Sequence, residues 1–537
     1  MPSSLRSRNT GVLHSFSRKG RLSVKITLRD EHAPKANSYT TLDAIQGEVS
    51  LSAENDVRFD QLSISFIGTS RTSIERPGYA GPTVGQSSAF HTFLKLTQPI
   101  EESQYPQPRI LEAGRKYSFP FTFVVPERLL PSSCRHHVNH RQVQAAHTHL
   151  PPSLGDPMVA GHGSKLLDDM SPRMCRIQYQ ICARLLKIDQ TDGALRPIAH
   201  AVKKVRIVPA TDEEPPLDVS ADSEEFCMRS EKVVKKGALW KKFGRIAIAA
   251  AQPKAFRLPP IHSSDSEDAP PTTMTKLHIR FDPDNAQEKP PKLKTLCTKL
   301  KVNTFYSLAA CSDFPSKSSK MTWNLNQGLY SDTICLASRC VASASWQKHT
   351  TTSTPPSPSP SPSSSCTGSR RSSIQSTSTS SSTASLPGPT ASFSGTTYYT
   401  ATVLVPISLP PHKSYIPTFH SCLISRTYAL DMCLSYHSPS STTGFSTRQT
   451  ISLRIPVQIT GKESLSAVAS RAQELGAQGA EEFFTPRVIS VPGTEYVEQA
   501  RLEGMGMGIG MSSGSAPSPP GYANLPAAGR LVTLSTF

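Results

Sequence analysis

Apolar and polar side chains alternate through much of this chain, most plainly in Gly114 to Ser132, GRKYSFPFTFVVPERLLPS. Tyr117, Phe119, Phe121, Phe123 and Val125 fall on every second position, with Ser118, Pro120, Thr122 and Val124 between them. An extended backbone turns successive side chains to opposite faces, so four rings line up on one side of one strand. Such a row is stable only against another apolar sheet, which predicts a half-buried strand of a β-sandwich. Pro120 has no N–H to give to a ladder, which puts the strand at an edge or beside a gap. Pro126, Pro131 and their polar neighbours end it.

The same period recurs on both sides. Leu22, Val24, Ile26 and Leu28 alternate with Ser23, Lys25 and Thr27, and Ile45, Gly47, Val49 and Leu51 are in phase in IQGEVSLS. Between Val57 and Ile74, Leu62, Ile64 and Phe66 repeat the pattern until Gly68 breaks it. HTFLKLTQPI at 91–100 is a shorter run; CRIQYQICARLLK keeps Ile177, Tyr179, Ile181, Ala183 and Leu185 in phase, and AHAVKKVRIVPA at 199–210 closes the set. About seven alternating runs separated by turn signals predict an antiparallel sandwich. A second set begins at TKLHIRF and continues through KLKVNTFYSL, YYTATVLVPISL, RTYALDMCLSY and TRQTISLRIPVQIT, so the class is all-β with two sandwiches.

The segments between these runs differ in character. Residues 1–20 form a basic flexible arm, and 133–173 an insert within the first sandwich (21–210). The insert holds Cys134, His136, His137, His140, His147 and His149. Imidazole and thiolate are zinc ligands, but this spacing is no recognised ligand pattern; the reading adopted is a solvated loop with no metal. Acidic, Pro-rich residues 211–225 form a hinge to the second sandwich (226–461). Lys232, Lys235, Lys236, Lys241, Lys242 and Arg245 then surround Leu239, Trp240, Phe243 and Ile246. This stretch reads as an amphipathic helix on a membrane surface or as the entry to a strand, and the alternation in GRIAIAAAQP favours the strand. Residues 350–394 are Ser/Thr/Pro-rich and predicted to be disordered, since they bury too little apolar surface to offset chain ordering. Arg370, Arg371 and Ser373 within them match a basophilic kinase site, a pattern common by chance. Residues 462–537 read as a helix, Glu463 to Phe484, and a flexible tail holding the glycine-methionine run from Gly504 to Met511.

Composition narrows the rest. Lys and Arg number 58 against 41 Asp and Glu, a formal net charge of +17, which favours acidic partners such as anionic lipid or phosphorylated tails. No zinc-finger spacing or aromatic-basic RNA signature is present, so nucleic acid is not a predicted partner. The eleven cysteines include no C-x-x-C pair. No apolar run approaches the ~20 residues needed to span a bilayer, and the N-terminus has no apolar signal core. A reduced, cytoplasmic protein with at most peripheral membrane contact is expected. No G-x-S-x-G elbow, phosphate-binding glycine loop or H-E-x-x-H is found, so the chain is not read as an enzyme, and no cofactor is assigned.

YSFPFTFVVPERLLPSSC, the following HTHLPPSLGD, and the later YYTATVLVPISLPPHKSYIPTFHSCLISRTYALDM and LRIPVQI together resemble fungal arrestin-like proteins, the α-arrestins. The resemblance covers about 21 to 461 and implies an arrestin N-lobe and C-lobe, each an antiparallel β-sandwich, meeting at a hinge. Receptor-binding arrestins carry a buried charged cluster that senses phosphate; no residues of this chain match it one by one. The tail adds Pro519-Pro520-Gly521-Tyr522, a PPxY motif. Two prolines pre-set a polyproline II turn for the aromatic groove of a WW domain, and the tyrosine fills the adjoining pocket. In the family this motif recruits WW-domain HECT-type ubiquitin ligases. Here there is one full match, since Arg76-Pro77-Gly78-Tyr79 lacks the first proline. The implied function is an adaptor that brings the ligase to plasma-membrane transporters or receptors for ubiquitination and endocytosis, recruited from the cytoplasm to plasma membrane or endosomes. The alternative is a signalling or trafficking scaffold of the same fold without a ligase partner.

Overall fold

The computed structural model describes residues 22–31, 37–76, 85–159, 161–162, 165–236, 241–260, 270–318, 324–350, 387–391, 393–437, 448–462 and 532–535. The basic arm 1–20, Trp240, the kinase-like site at 370–373, nearly all of the Ser/Thr tract, the helix proposed for Glu463 to Phe484 and the PPxY motif lie outside them. The described residues are almost all β, with one α-helix, Arg141–His147. No helix among them is long and apolar enough to cross a membrane.

The aromatic row behaves as its period predicts. Lys116–Val124 is a strand in which Phe119, Phe121 and Phe123 are buried while Ser118, Pro120, Thr122 and Val124 face out. It forms one edge of a three-stranded antiparallel sheet with Ala44–Ala53 in the middle and Leu22–Leu28 beyond. The edge position leaves Pro120 compatible with the ladder. The rings face a second sheet, ordered Ser38–Tyr39, Leu195–Ile207, Cys175–Ile188, Gln61–Arg76, Gly85–Gln98 and Val532–Ser535. Phe123 packs 5.9 Å from Phe66 of that sheet, and Phe66 stacks on Tyr179 at 5.8 Å. Two sheets closed over one aromatic layer make the first sandwich.

Gly68 turns out to be an irregularity within one strand. Gln61–Arg76 runs straight through it, with a register shift against Gly85–Gln98 between Gly68 and Thr69. A Cβ there would lie 2.5 Å from the Phe93 ring, so glycine admits the aromatic layer at this point.

The second sandwich pairs a sheet ordered Arg229–Lys236, Lys241–Ala250, Thr272–Pro283, Thr397–Ser408 and Gln347–Thr350 with a second sheet. That sheet runs Gln327–Cys340, Lys292–Ser307, Ile424–His437, with Phe419–His420 and Arg448–Val457 both on the last. The basic stretch around Lys232 is thus two antiparallel strands, as its alternation favours, and the amphipathic-helix reading does not hold for the described residues. Gln327–Cys340 escaped sequence reading because it is largely solvent-facing, with Ile334 its one buried side chain, so no apolar period marks it. Val532–Ser535, within the stretch read as flexible tail, adds a strand to Gly85–Gln98.

Each sandwich has its own apolar core, and each core takes in residues from the other half. Leu308, Ile416, Phe419, Leu423 and Ile424 join the first core; Met170 and Val208 join the second. Phe121, 3% exposed, packs its ring 5.7 Å from that of Phe123. Phe121→Ala should cost about 3–5 kcal/mol through lost burial and the cavity left behind, whereas the neighbouring, outward-facing Thr122→Ala should stay within about 0.5 kcal/mol. Denaturant midpoints of the two variants check this.

Candidate functional site at the seam of the two sandwiches

The insert 133–173 was read as a solvated loop, and the structure corrects this: its described residues fold onto the seam. Val143, Leu150 and Leu154 are buried and anchor it. Arg141–His147 is a short helix closed by Thr148, whose Oγ1 donates to the carbonyl of Ala145 at 2.8 Å. The LPPSLG run that follows is stitched to the first sandwich. Tyr179 donates its hydroxyl to the Pro151 carbonyl at 2.5 Å, and the Ser153 N–H donates to Ile207 O at 2.8 Å. Leu154 and Ile177 exchange backbone hydrogen bonds of 3.0 and 2.8 Å. Gly155 then takes a φ of +75°, where a Cβ would sit 2.2 Å from the Cys175 carbonyl, so only glycine fits. The many histidines hid these apolar anchors from composition-based reading.

From Gly155 the chain reaches an acidic turn. Asp169 is 8% exposed and accepts the Gly155 N–H at 2.6 Å and the Ser171 hydroxyl at 2.7 Å. Met170 follows at φ 56°, a left-handed conformation that costs a side-chain-bearing residue about 1–2 kcal/mol. What holds it there comes from the other sandwich. Arg426, 0% exposed, donates to the carbonyls of Asp169 and Met170 at 3.1 and 3.3 Å, while the Met170 side chain enters the second core. Lys413 pairs with Asp168 at 2.6 Å, and the Ser414 N–H donates to the Asp168 carbonyl at 2.9 Å. From the first sandwich, buried Arg206 donates to the Ser414 hydroxyl at 2.9 Å. Burial lowers Arg206 to about 10, and Asp169 opposes that, so the guanidinium remains charged near neutrality.

The seam therefore encloses two guanidinium groups and two nearly buried carboxylates, Asp169 and Asp156. Arg426 Nε is buried with no partner among the described residues. Chemically this is a charge-assisted latch between the two halves, closed off from solvent.

A second cluster lies along the seam. Cys134, His136 and His147 of the insert meet Cys422, from the loop between Phe419–His420 and Ile424–His437. Cys134, His147 and Cys422 are buried and His136 is partly so. Burial lowers His147 to about 4 and also lowers His136, so both rings are neutral at pH 7. The thiol of Cys422, hydrogen-bonded to Cys134 and buried, is pushed up, and Cys134 correspondingly down.

Residues 30–205 match the family model described as Arrestin (or S-antigen), N-terminal domain. The chain is an arrestin-like protein. The match takes in the aromatic strand, the insert and its acidic turn, and stops just before Arg206. No curated protein matches the sequence.

The residues named from sequence for WW-domain binding, Pro519, Pro520 and Tyr522, lie outside the described residues. Of those at the seam, Cys134, His136 and His147 were named only as a declined metal group, and Asp169, Arg206, Ser414 and Arg426 went unnamed, although one left a mark. Arg426 falls in phase with Ile424, Tyr428, Leu430, Met432 and Leu434 along one buried face. A lone arginine on the apolar phase of a strand signals a buried charge with a partner elsewhere. Cys422 left no such mark, because its neighbours in space are far away in sequence.

In this arrestin-like protein, Arg426→Ala should cost about 3 kcal/mol or more, since it removes two charge-assisted hydrogen bonds and leaves two carbonyls bare. Lys413→Ala, at the more exposed Asp168 pair, should cost less than about 1 kcal/mol. Urea midpoints of both variants test the ranking; equal losses would contradict it.

Proposed function

We propose that this arrestin-like protein, a trafficking or signalling adaptor in general class, works as a ubiquitin-ligase adaptor. The two sandwiches dock on cytosolic segments of plasma-membrane transporters or receptors, and Pro519, Pro520 and Tyr522 hold the WW domain of a HECT-type ligase. Ligase and cargo are thereby brought together, and the cargo is ubiquitinated and internalised. The observation that carries this reading is the arrestin N-terminal domain at residues 30–205 in the same chain as a PPxY sequence at 519–522. The net charge of +17 supports recruitment from the cytoplasm to an anionic membrane face and to acidic or phosphorylated cargo tails.

The existence of a single full PPxY match favours one second reading, a scaffold of the same fold that engages no ligase. One motif gives no avidity, so its affinity must come from the motif alone. Binding of the full chain to an isolated WW domain separates the two. Tyr522→Ala should weaken it about tenfold or more through loss of the ring from its pocket, and should also abolish ligase-dependent cargo ubiquitination. Equal binding by wild type and variant, or uptake of cargo untouched by the substitution, would leave the scaffold reading.

A further inference from the structure

We propose that Cys134, His136, His147 and Cys422 form a structural zinc site that staples the insert of the first sandwich to the second. One donor atom from each of the four lies within 4.8 Å of all the others. Cys134 Sγ stands 3.6 Å from His147 Nδ1 and 3.8 Å from the ring nitrogens of His136. A tetrahedron with Zn–S of ~2.3 Å and Zn–N of ~2.0 Å has sulfur–nitrogen edges of about 3.5 Å, so these donors already stand near coordination spacing.

The surroundings are those of a built site. His136 Nε2 lies 3.0 Å from the carbonyl of Cys311, which can only accept, so Nε2 carries the proton and Nδ1 keeps its lone pair for a metal. An imidazole ligand held by a carbonyl through its other nitrogen is the usual outer arrangement of a zinc histidine. The backbone N–H of Cys311 in turn donates to the Cys422 carbonyl at 2.9 Å, so one residue's main chain positions a ligand from each half of the chain. Ser421 closes the turn around Cys422, its hydroxyl donating to the Ile424 carbonyl at 2.7 Å. His147 is the last residue of Arg141–His147, and Cys134 follows the turn Pro131–Ser133.

The donor set selects the ion. Two sulfurs and two imidazoles suit zinc and exclude calcium and magnesium, which take oxygen. On uptake each thiol forms a Zn–S bond and releases its proton to solvent, while the imidazoles bind neutral. Zn²⁺ with two thiolates carries no net charge, so burial of the filled site leaves no uncompensated ion. Four protein ligands leave no open position, which makes the site structural rather than catalytic. The sequence could not show this, because Cys422 completes the set from the far end of the chain.

The full-length protein purified without chelator should contain about one zinc per chain, with X-ray absorption showing two sulfur and two nitrogen neighbours. After exchange, cobalt should give the visible d–d and sulfur charge-transfer bands of a tetrahedral thiolate site. Cys422→Ser and His147→Ala should each lose the metal, while Cys335→Ser, an exposed cysteine outside the cluster, should keep it. Circular dichroism of the variants checks that the β-fold persists; the cobalt spectrum of the wild type stands whether or not they fold. Zinc far below stoichiometric with no cobalt bands would overturn the proposal. So would zinc retained by folded Cys422→Ser and His147→Ala, or a Cys134–Cys422 disulfide in protein isolated under alkylating conditions.

Discussion

The arrangement of this protein depends on the grip of Arg426 on the backbone carbonyls of Asp169 and Met170. One buried guanidinium from the second sandwich holds a left-handed turn of the first, and the Met170 side chain enters the second core. A buried cation with its hydrogen bonds made stabilises one geometry and penalises the others, because sliding the seam would strand the charge away from both carbonyls and water. The aromatic layer builds the first sandwich, and this contact decides where the second sits.

That constraint suits an adaptor. Apolar continuity alone, through Leu308, Ile416, Phe419, Leu423 and Ile424, would allow the two halves to slip, because dispersion and burial have little directional preference. Directional contacts along the seam, from Arg206 to Ser414 and from Lys413 to Asp168, fix the register. A scaffold whose halves share a charged latch presents its outer faces in one fixed relative placement.

What the sequence showed was governed by periodicity. Phe119, Phe121 and Phe123 declared their strand because a sheet face reads out every second residue, and Ile451, Leu453 and Ile455 did the same. The exposed Gln327–Cys340 strand carries no such period, and Gly68 looked like an end when it was a bulge. The site was harder still. Asp169, Arg206, Ser414 and Arg426 come together only after both sandwiches close, and separations of hundreds of residues leave no local spacing to read. The histidines of the insert were visible as a group, but Val143, Leu150 and Leu154, which bury their setting, look unremarkable one at a time.

The central claim is that the two sandwiches are coupled through this seam and do not behave as beads on a hinge. Scanning calorimetry of the full chain measures the coupling most directly. One cooperative transition, in which the strands of both halves melt at a common midpoint, is the predicted result. Two well-separated transitions in the wild type, one for each half, would contradict it.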